Sequence, residues 1–158
     1  EDSLGNAGRT EAGDVQVMSA GTGIRHSEYN REKGATEIFQ IWILPDRQGE
    51  APGWGARPFP KADRSGTFVA LASGFADDGD ALPIRARARV VGATLKTGDS
   101  IAYALGKDRR AYLVPAIGMV EIDGVHVNAR DGVAIADVDS VRITALQDSE
   151  VILVDAAA

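Results

Sequence analysis

The feature that most constrains this chain is the way its apolar residues are cut into short runs. Nearly every run is of strand length and ends at Gly, Asp, Asn or Pro. That punctuation leaves little room for ordinary amphipathic helices and fits an all-β sandwich or barrel. Val15–Met18 follows the turn Ala12-Gly13-Asp14. Downstream come Thr67–Ala72, Arg85–Val91, Ala93–Lys96, Ser100–Leu105, Arg110–Pro115, Gly118–Ile122, Val125–Asn128, Val133–Ala136, Ser140–Ala145 and Glu150–Asp155, with turn residues between them. Asp123-Gly124 marks a hairpin, because both central positions of a type I′ turn take positive φ.

One run is longer. Glu37–Leu44 (EIFQIWIL) is rich in β-branched and aromatic residues and is stopped by Pro45-Asp46, which predicts a strand buried on both faces. Alternation puts Ile38, Gln40, Trp42 and Leu44 on one face and Phe39, Ile41 and Ile43 on the other. Gln40 is the polar exception, and a buried amide needs partners, so it is predicted to line a pocket. From Pro45 to Gly66 the composition shifts to Gly, Pro and charge, with Pro45, Pro52, Pro58 and Pro60 in one stretch. This reads as a surface-hugging connection pinned by Trp54 and Phe59. Arg85, Arg87 and Arg89 alternate with Ala86 and Ala88, the pattern of a solvated edge strand that resists edge-to-edge pairing.

Composition removes several function classes. A chain of 158 residues with 44% hydrophobic residues can build a core. No window approaches the roughly 18 apolar residues of a membrane-spanning helix. A net charge of -6 and a pI near 4.9 argue against a general nucleic-acid binder. With no cysteine there is no disulfide, thiolate zinc site or thiol catalysis. Without a signal segment the expected location is cytoplasmic. The only histidines are His26 and His126.

An internal repeat organises the rest. Asn6–Met18 and Gly124–Ile135 each read as a strand, a Gly/Asp turn and a short apolar strand. Each is followed by a longer strand opened by glutamate, Glu37–Ile41 and Glu150–Val154. The second copy is preceded by Arg110–Pro115 and Gly118–Ile122, whereas the first has nothing before it. The expected division is residues 1–45 as one unit, 46–66 as linker and 67–158 as a second unit.

The first copy holds the residues that can carry chemistry. In Met18–Glu28 (MSAGTGIRHSE), Gly21-Thr22-Gly23 lacks the third glycine and following helix of a dinucleotide loop. His26 and Glu28 are two apart, which on an extended strand puts both side chains on one face, about 6–7 Å apart. Imidazole and carboxylate converging in this way can hold a divalent ion, although such a pair is more often a surface salt bridge. His126 lies beside a hairpin turn between Val125 and Val127 and reads as a solvated strand histidine. The second copy's counterpart of His26 falls near Val141–Thr144, which contains no ligand type.

Residues 13–28, GDVQVMSAGTGIRHSE, closely resemble a stretch of the pirin family within the cupin superfamily. Phe39–Pro45 resembles that family's next strand, and Asp2–Asn6 the hairpin before it. Residues 66–158 are similar to the family's carboxy-terminal cupin more loosely. The resemblance implies a bicupin of two jelly-roll barrels, the first carrying a divalent metal, commonly iron, here Fe(II), held by three histidines and one glutamate. His26 and Glu28 match the third histidine and the glutamate as metal ligands, and Glu28 also matches the catalytic base. Gln40 would line the pocket. The family's His-x-His stretch has no counterpart here, so the metal site and the first barrel are expected to be incomplete. The chain is expected to be a fragment whose opening segment precedes Glu1, the alternative being a natural short variant. The activity implied is that of a quercetinase-type dioxygenase opening a flavonol ring with O2, impaired in this chain. The alternative is a non-enzymatic regulator binding an enzyme or transcription factor. The expected partners are a flavonol-like molecule, a protein, or a second copy through the exposed barrel edge, with neither nucleic acid nor membrane.

Overall fold

A computed structural model describes all residues, Glu1–Ala158. The chain is nearly all β, with one 3-10 turn, Lys61–Arg64. Its strands are β1 (Asp14–Ser19), β2 (Gly53–Pro58), β3 (Val69–Ser73), β4 (Leu82–Pro83), β5 (Ala88–Leu95), β6 (Ser100–Ala104), β7 (Arg109–Ile117), β8 (Met119–Ile122), β9 (Val125–Asn128), β10 (Val133–Ala136), β11 (Ser140–Ala145) and β12 (Ser149–Ala157). No helix is long and apolar enough to cross a membrane.

The second unit is a sandwich of a six-stranded sheet, β10-β7-β12-β5-β3-β4, and a four-stranded sheet, β6-β11-β8-β9. Alternation builds its core. Val151 and Leu153 of β12 and Leu113 of β7 point inward to meet Val120 of β8 and Val141 and Ile143 of β11. The β8–β9 hairpin turns at Asp123 (φ 47) and Gly124 (φ 85), as the type I′ signal predicts. His126 is exposed there, beside Glu121 at 3.4 Å, while Val127 is buried and Val125, nearer the turn, is exposed.

β5 is buried on both faces. Val91, Ala93 and Leu95 face the sandwich interior, and Val90 faces outward into a second apolar layer with Phe59, Leu71, Ala72 and Leu82. Val15 and Val17 of β1 and Ile43 pack on that layer. The first unit therefore rests on the outer face of the six-stranded sheet.

Three sequence expectations are corrected. Glu37–Leu44 is not a buried strand: it has no strand assignment, and Trp42 and Leu44 are 88% and 91% exposed. Its backbone joins no backbone–backbone hydrogen bond, because β1 pairs with β2 alone and offers this segment no ladder. High β propensity does not make a strand without a neighbour. Residues 46–66 are more than a connection. β2 pairs with β1 from Asp14 opposite Pro58 to Ser19 opposite Gly53, Phe59 is buried, and Lys61 and Arg64 reach Glu150 of β12. Arg85, Arg87 and Arg89 do not line a free edge, since β5 lies between β12 and β3 and takes in only Arg89. Arg85 instead pairs with Glu50 at 3.1 Å and Arg89 with Asp78 at 2.5 Å.

A polar cluster closes one end of the sandwich. Asp155, buried on β12, accepts hydrogen bonds from Arg109 Nε at 2.6 Å and the Tyr103 hydroxyl at 2.8 Å. Phe75 lies under Arg89 at 4.2 Å and Arg109 at 5.2 Å, so the loop after β3 is held down by the same cations. Burial, and then the hydrogen bond to Asp155, push the Tyr103 phenol well above its ordinary value of 10.0. The unfolded chain ionises this group first as pH rises. Its contribution is therefore complete below about pH 10 and is lost above it.

Two outcomes follow. Leu153→Ala, at a side chain 0% exposed, should cost about 2–5 kcal/mol in denaturant unfolding by leaving a cavity between the sheets. Raising the pH from about 9 to about 11 should lower the denaturation midpoint, and Tyr103→Phe should flatten that slope while weakening the fold at neutral pH by about 1–3 kcal/mol.

Candidate functional site

Residues 13–28 fold as strand, tight turn and return. β1 ends at Ser19, and the chain reverses through Ala20–Gly23, closed by Gly23 N–H donating to Ala20 O at 2.8 Å. Gly21 has φ 54, and a Cβ there would lie 2.2 Å from the Glu50 carbonyl oxygen. Thr22 N–H donates to that same oxygen at 2.9 Å. Gly-Thr-Gly is thus a packing turn against residues 50–52, with φ > 0 demanded by close backbone approach.

The return segment runs antiparallel to the chain start. Ser3 N–H donates to Arg25 O at 2.8 Å and Ser27 N–H to Glu1 O at 2.9 Å, which places Asp2 opposite His26. Asp2 itself serves the turn. Its carboxylate accepts the Asn6 side-chain amide at 2.9 Å and the backbone N–H groups of Leu4 and Asn6, and the first of these does most to hold it below the usual aspartate range. Its oxygens are occupied by the turn rather than turned toward His26.

Glu28 meets β1. The Gln16 side-chain amide donates to Glu28 Oε1. Gln16 stands between Val15 and Val17, which pack toward the second unit, so alternation aims it at the opposite face. Both His26 and Glu28 are exposed. Sequence reasoning passed over Gln16, although the period of β1 contained the signal. Gln40 is exposed on the unpaired segment 37–44 and has no hydrogen-bond partner there. A cleft of about 190 Å³ between β1, β2 and the start of the second unit is walled by Val17, Trp54, Ile84 and Arg85, and Gln40 is not part of it.

The donor types suit a first-row divalent ion, since imidazole nitrogen and carboxylate oxygen both bind such metals. Their number does not close a site: no group of three or more His, Cys, Asp or Glu side chains gathers anywhere in the chain. In the second unit the corresponding interior is packed by Val141 and Ile143, which are 2% and 0% exposed.

The two-sheet β sandwich is the fold of a cupin, as its relatives show. A profile described as "Quercetinase C-terminal cupin domain" matches residues 70–156, and one described as "Pirin" matches residues 1–43. The chain is 67% identical over 157 residues to a pirin-like protein of Caulobacter vibrioides, covering 99% of this chain and 68% of that one. It is 37% identical over 158 residues to quercetin 2,3-dioxygenase of Escherichia coli, covering 98% and 66%. The crystal structure of YhhW from Escherichia coli superposes with a TM-score of 0.88 at 36% identity over 99% of this chain and 65% of that one. The bacterial pirin YhhW in complex with nickel(II) gives 0.86 at 35% identity over 98% and 66%. The chain belongs to the pirin family. It spans about two thirds of the length of these relatives.

Gly21→Ala should loosen the turn that returns the chain toward Glu28, because the new methyl must displace the Glu50–Pro52 backbone. The expected result is faster limited proteolysis between residues 19 and 52, with the circular-dichroism signal of the second unit retained.

Proposed function

We propose that this chain supplies part of the site of a metal-dependent, quercetinase-type dioxygenase, with His26 and Glu28 as metal ligands and Glu28 also as the base. The observation that carries this reading is the contact of Glu28 with Gln16 on the face of β1 turned away from the second unit. The name of the Escherichia coli relative, quercetin 2,3-dioxygenase, and the nickel(II) complex of YhhW support the class of chemistry. When bound, a divalent ion, Fe(II) in this proposal, supplies Lewis acidity that stabilises a deprotonated substrate hydroxyl.

The chain's own residues do the rest. The Gln16 amide engages Oε1 of Glu28 and fixes the carboxylate's orientation. Oε2 is left to accept a proton from an acidic substrate hydroxyl such as the 3-hydroxyl of a flavonol. His26, across from Asp2, is held in place by the backbone ladder of residues 1–3 with 25–27. Two donors hold a metal weakly, so full activity requires two further histidines, which these 158 residues do not contain. The chain alone is accordingly expected to be impaired.

The test is oxygen uptake with quercetin by metal-loaded protein that carries the family's His-x-His stretch. Turnover is expected there, and Glu28→Gln, which removes both a ligand and the base, should lower kcat per bound metal by about 10²-fold or more. Absence of oxygen uptake by the loaded protein removes the proposal. A second reading, a non-enzymatic regulator docking on an enzyme or transcription factor, draws on the filled interior of the second unit, where Val141 and Ile143 leave no room for a ligand. A partner retained equally before and after chelation would favour it.

A further inference from the structure

Arg64 is buried, yet its guanidinium is short of partners. The 3-10 turn Lys61–Arg64 lays it on the outer face of the six-stranded sheet, over Gly92 of β5, where a Cβ would fall 2.8 Å from Nη1. Its side chain is 9% exposed. Nε has no hydrogen-bond partner, and Nη2 stands 4.0 Å from Glu150 Oε2, beyond hydrogen-bond reach. Glu150 is already engaged by Lys61 Nζ on its other oxygen. One carboxylate thus faces two cations, and the buried one carries an unmatched positive charge. Thr94, two residues beyond Gly92 on the same face of β5 and opposite Glu150, has a buried hydroxyl that is also unpartnered. A buried charge in this state is costly, and native structures seldom keep one idle.

A cleft of about 220 Å³ has Arg64 in its wall, beside Pro58, Pro60 and Val69. The cleft's other cation, Arg57, is taken: Nη2 lies 3.5 Å from the Asp80 carboxylate and Nη1 donates to the Asp80 carbonyl. Asp63, the remaining carboxylate, is exposed and lies beyond ion-pair distance of Arg64. We propose that Arg64 anchors a small-molecule site, and that the site takes a monocarboxylate with a flat apolar body. The carboxylate supplies the missing charge and accepts hydrogen bonds from the planar guanidinium, whose fork matches its two oxygens. Pro58, Pro60 and Val69 take the apolar body, burying surface that a bare inorganic anion does not offer. One positive charge is unmatched, so one negative charge suffices. A dianion would bring its second charge toward Asp63 and Asp80, which repel it.

The site uses neither His26 nor Glu28 and is independent of the catalytic reading. Its test is benzoate, titrated into the 158-residue chain while the arginine Nε–Hε resonances are followed by NMR. One resonance, absent from the spectrum of Arg64→Lys, should shift to saturation, with 1:1 stoichiometry by calorimetry. Benzamide, the uncharged isostere, should bind at least about 10-fold more weakly. So should benzoate to Arg64→Lys, which keeps the charge but not the fork. Arg64→Met should abolish binding and leave the denaturation midpoint unchanged or raised. It removes a buried charge that no hydrogen bond satisfies, while Lys61 still holds Glu150. The same binding is expected of the longer protein that carries the family's His-x-His stretch. No saturable shift, equal affinity for benzamide, undiminished binding by either Arg64 variant, loss of binding in the longer protein, or a marked loss of stability in Arg64→Met would each overturn the proposal.

Discussion

The interaction on which the rest depends is the apolar layer between the β1–β2 hairpin and the outer face of the six-stranded sheet. β1 and β2 form a two-stranded sheet, and an isolated pair of strands is marginal in water. Val15, Val17 and Phe59 bury it against Val90 and Leu71, converting a weak hairpin into part of a larger core. That contact settles which way β1 faces. Because Val15 and Val17 go inward, Gln16 goes outward, and Glu28 finds it there. The candidate chemistry is thus placed by packing on the opposite side of the same strand.

The two units reach stability by different means. The second has a closed apolar interior between two sheets and a polar end in which Asp155 is satisfied by Arg109 and Tyr103. A buried carboxylate is costly unless its lone pairs are used, and here two donors use them. The first unit is mostly exposed and is held by stitches: the Gly21 turn on Glu50, the pairing of residues 1–3 with 25–27, and the Lys61 and Arg64 contacts to Glu150. Side chains in a sparsely packed region can still be oriented by single hydrogen bonds, as the Gln16–Glu28 contact shows.

Most of the second unit was legible in the sequence because its determinants are local. Turn residues end each run, alternation assigns each face, and the Asp123-Gly124 hairpin follows from backbone sterics. Arg85–Val91 and Ala93–Lys96, read as two strands, are one strand, β5. Gly92 does not break it, because the Arg64 guanidinium lies where a side chain would otherwise project. Glu37–Leu44 failed for a non-local reason: a strand is defined by its neighbours, and these 158 residues place none beside it. The pairing of β2 with β1 was hidden for the converse reason. Gly53–Pro58 has little β propensity and gains its ladder only from β1.

The sequence by itself determined the all-β class, most strands of the second unit, the family resemblance and the choice of His26 and Glu28 as candidate ligands. Each of these depends on local periodicity, turn sterics or the identity of a side chain. Tertiary structure alone decided that Gln16 meets Glu28, that β2 pairs with β1, that Gly-Thr-Gly is a packing turn, and that Glu37–Leu44 has no strand partner among these residues. Those outcomes depend on which residues distant in sequence meet, and spacing along the chain carries no record of such meetings.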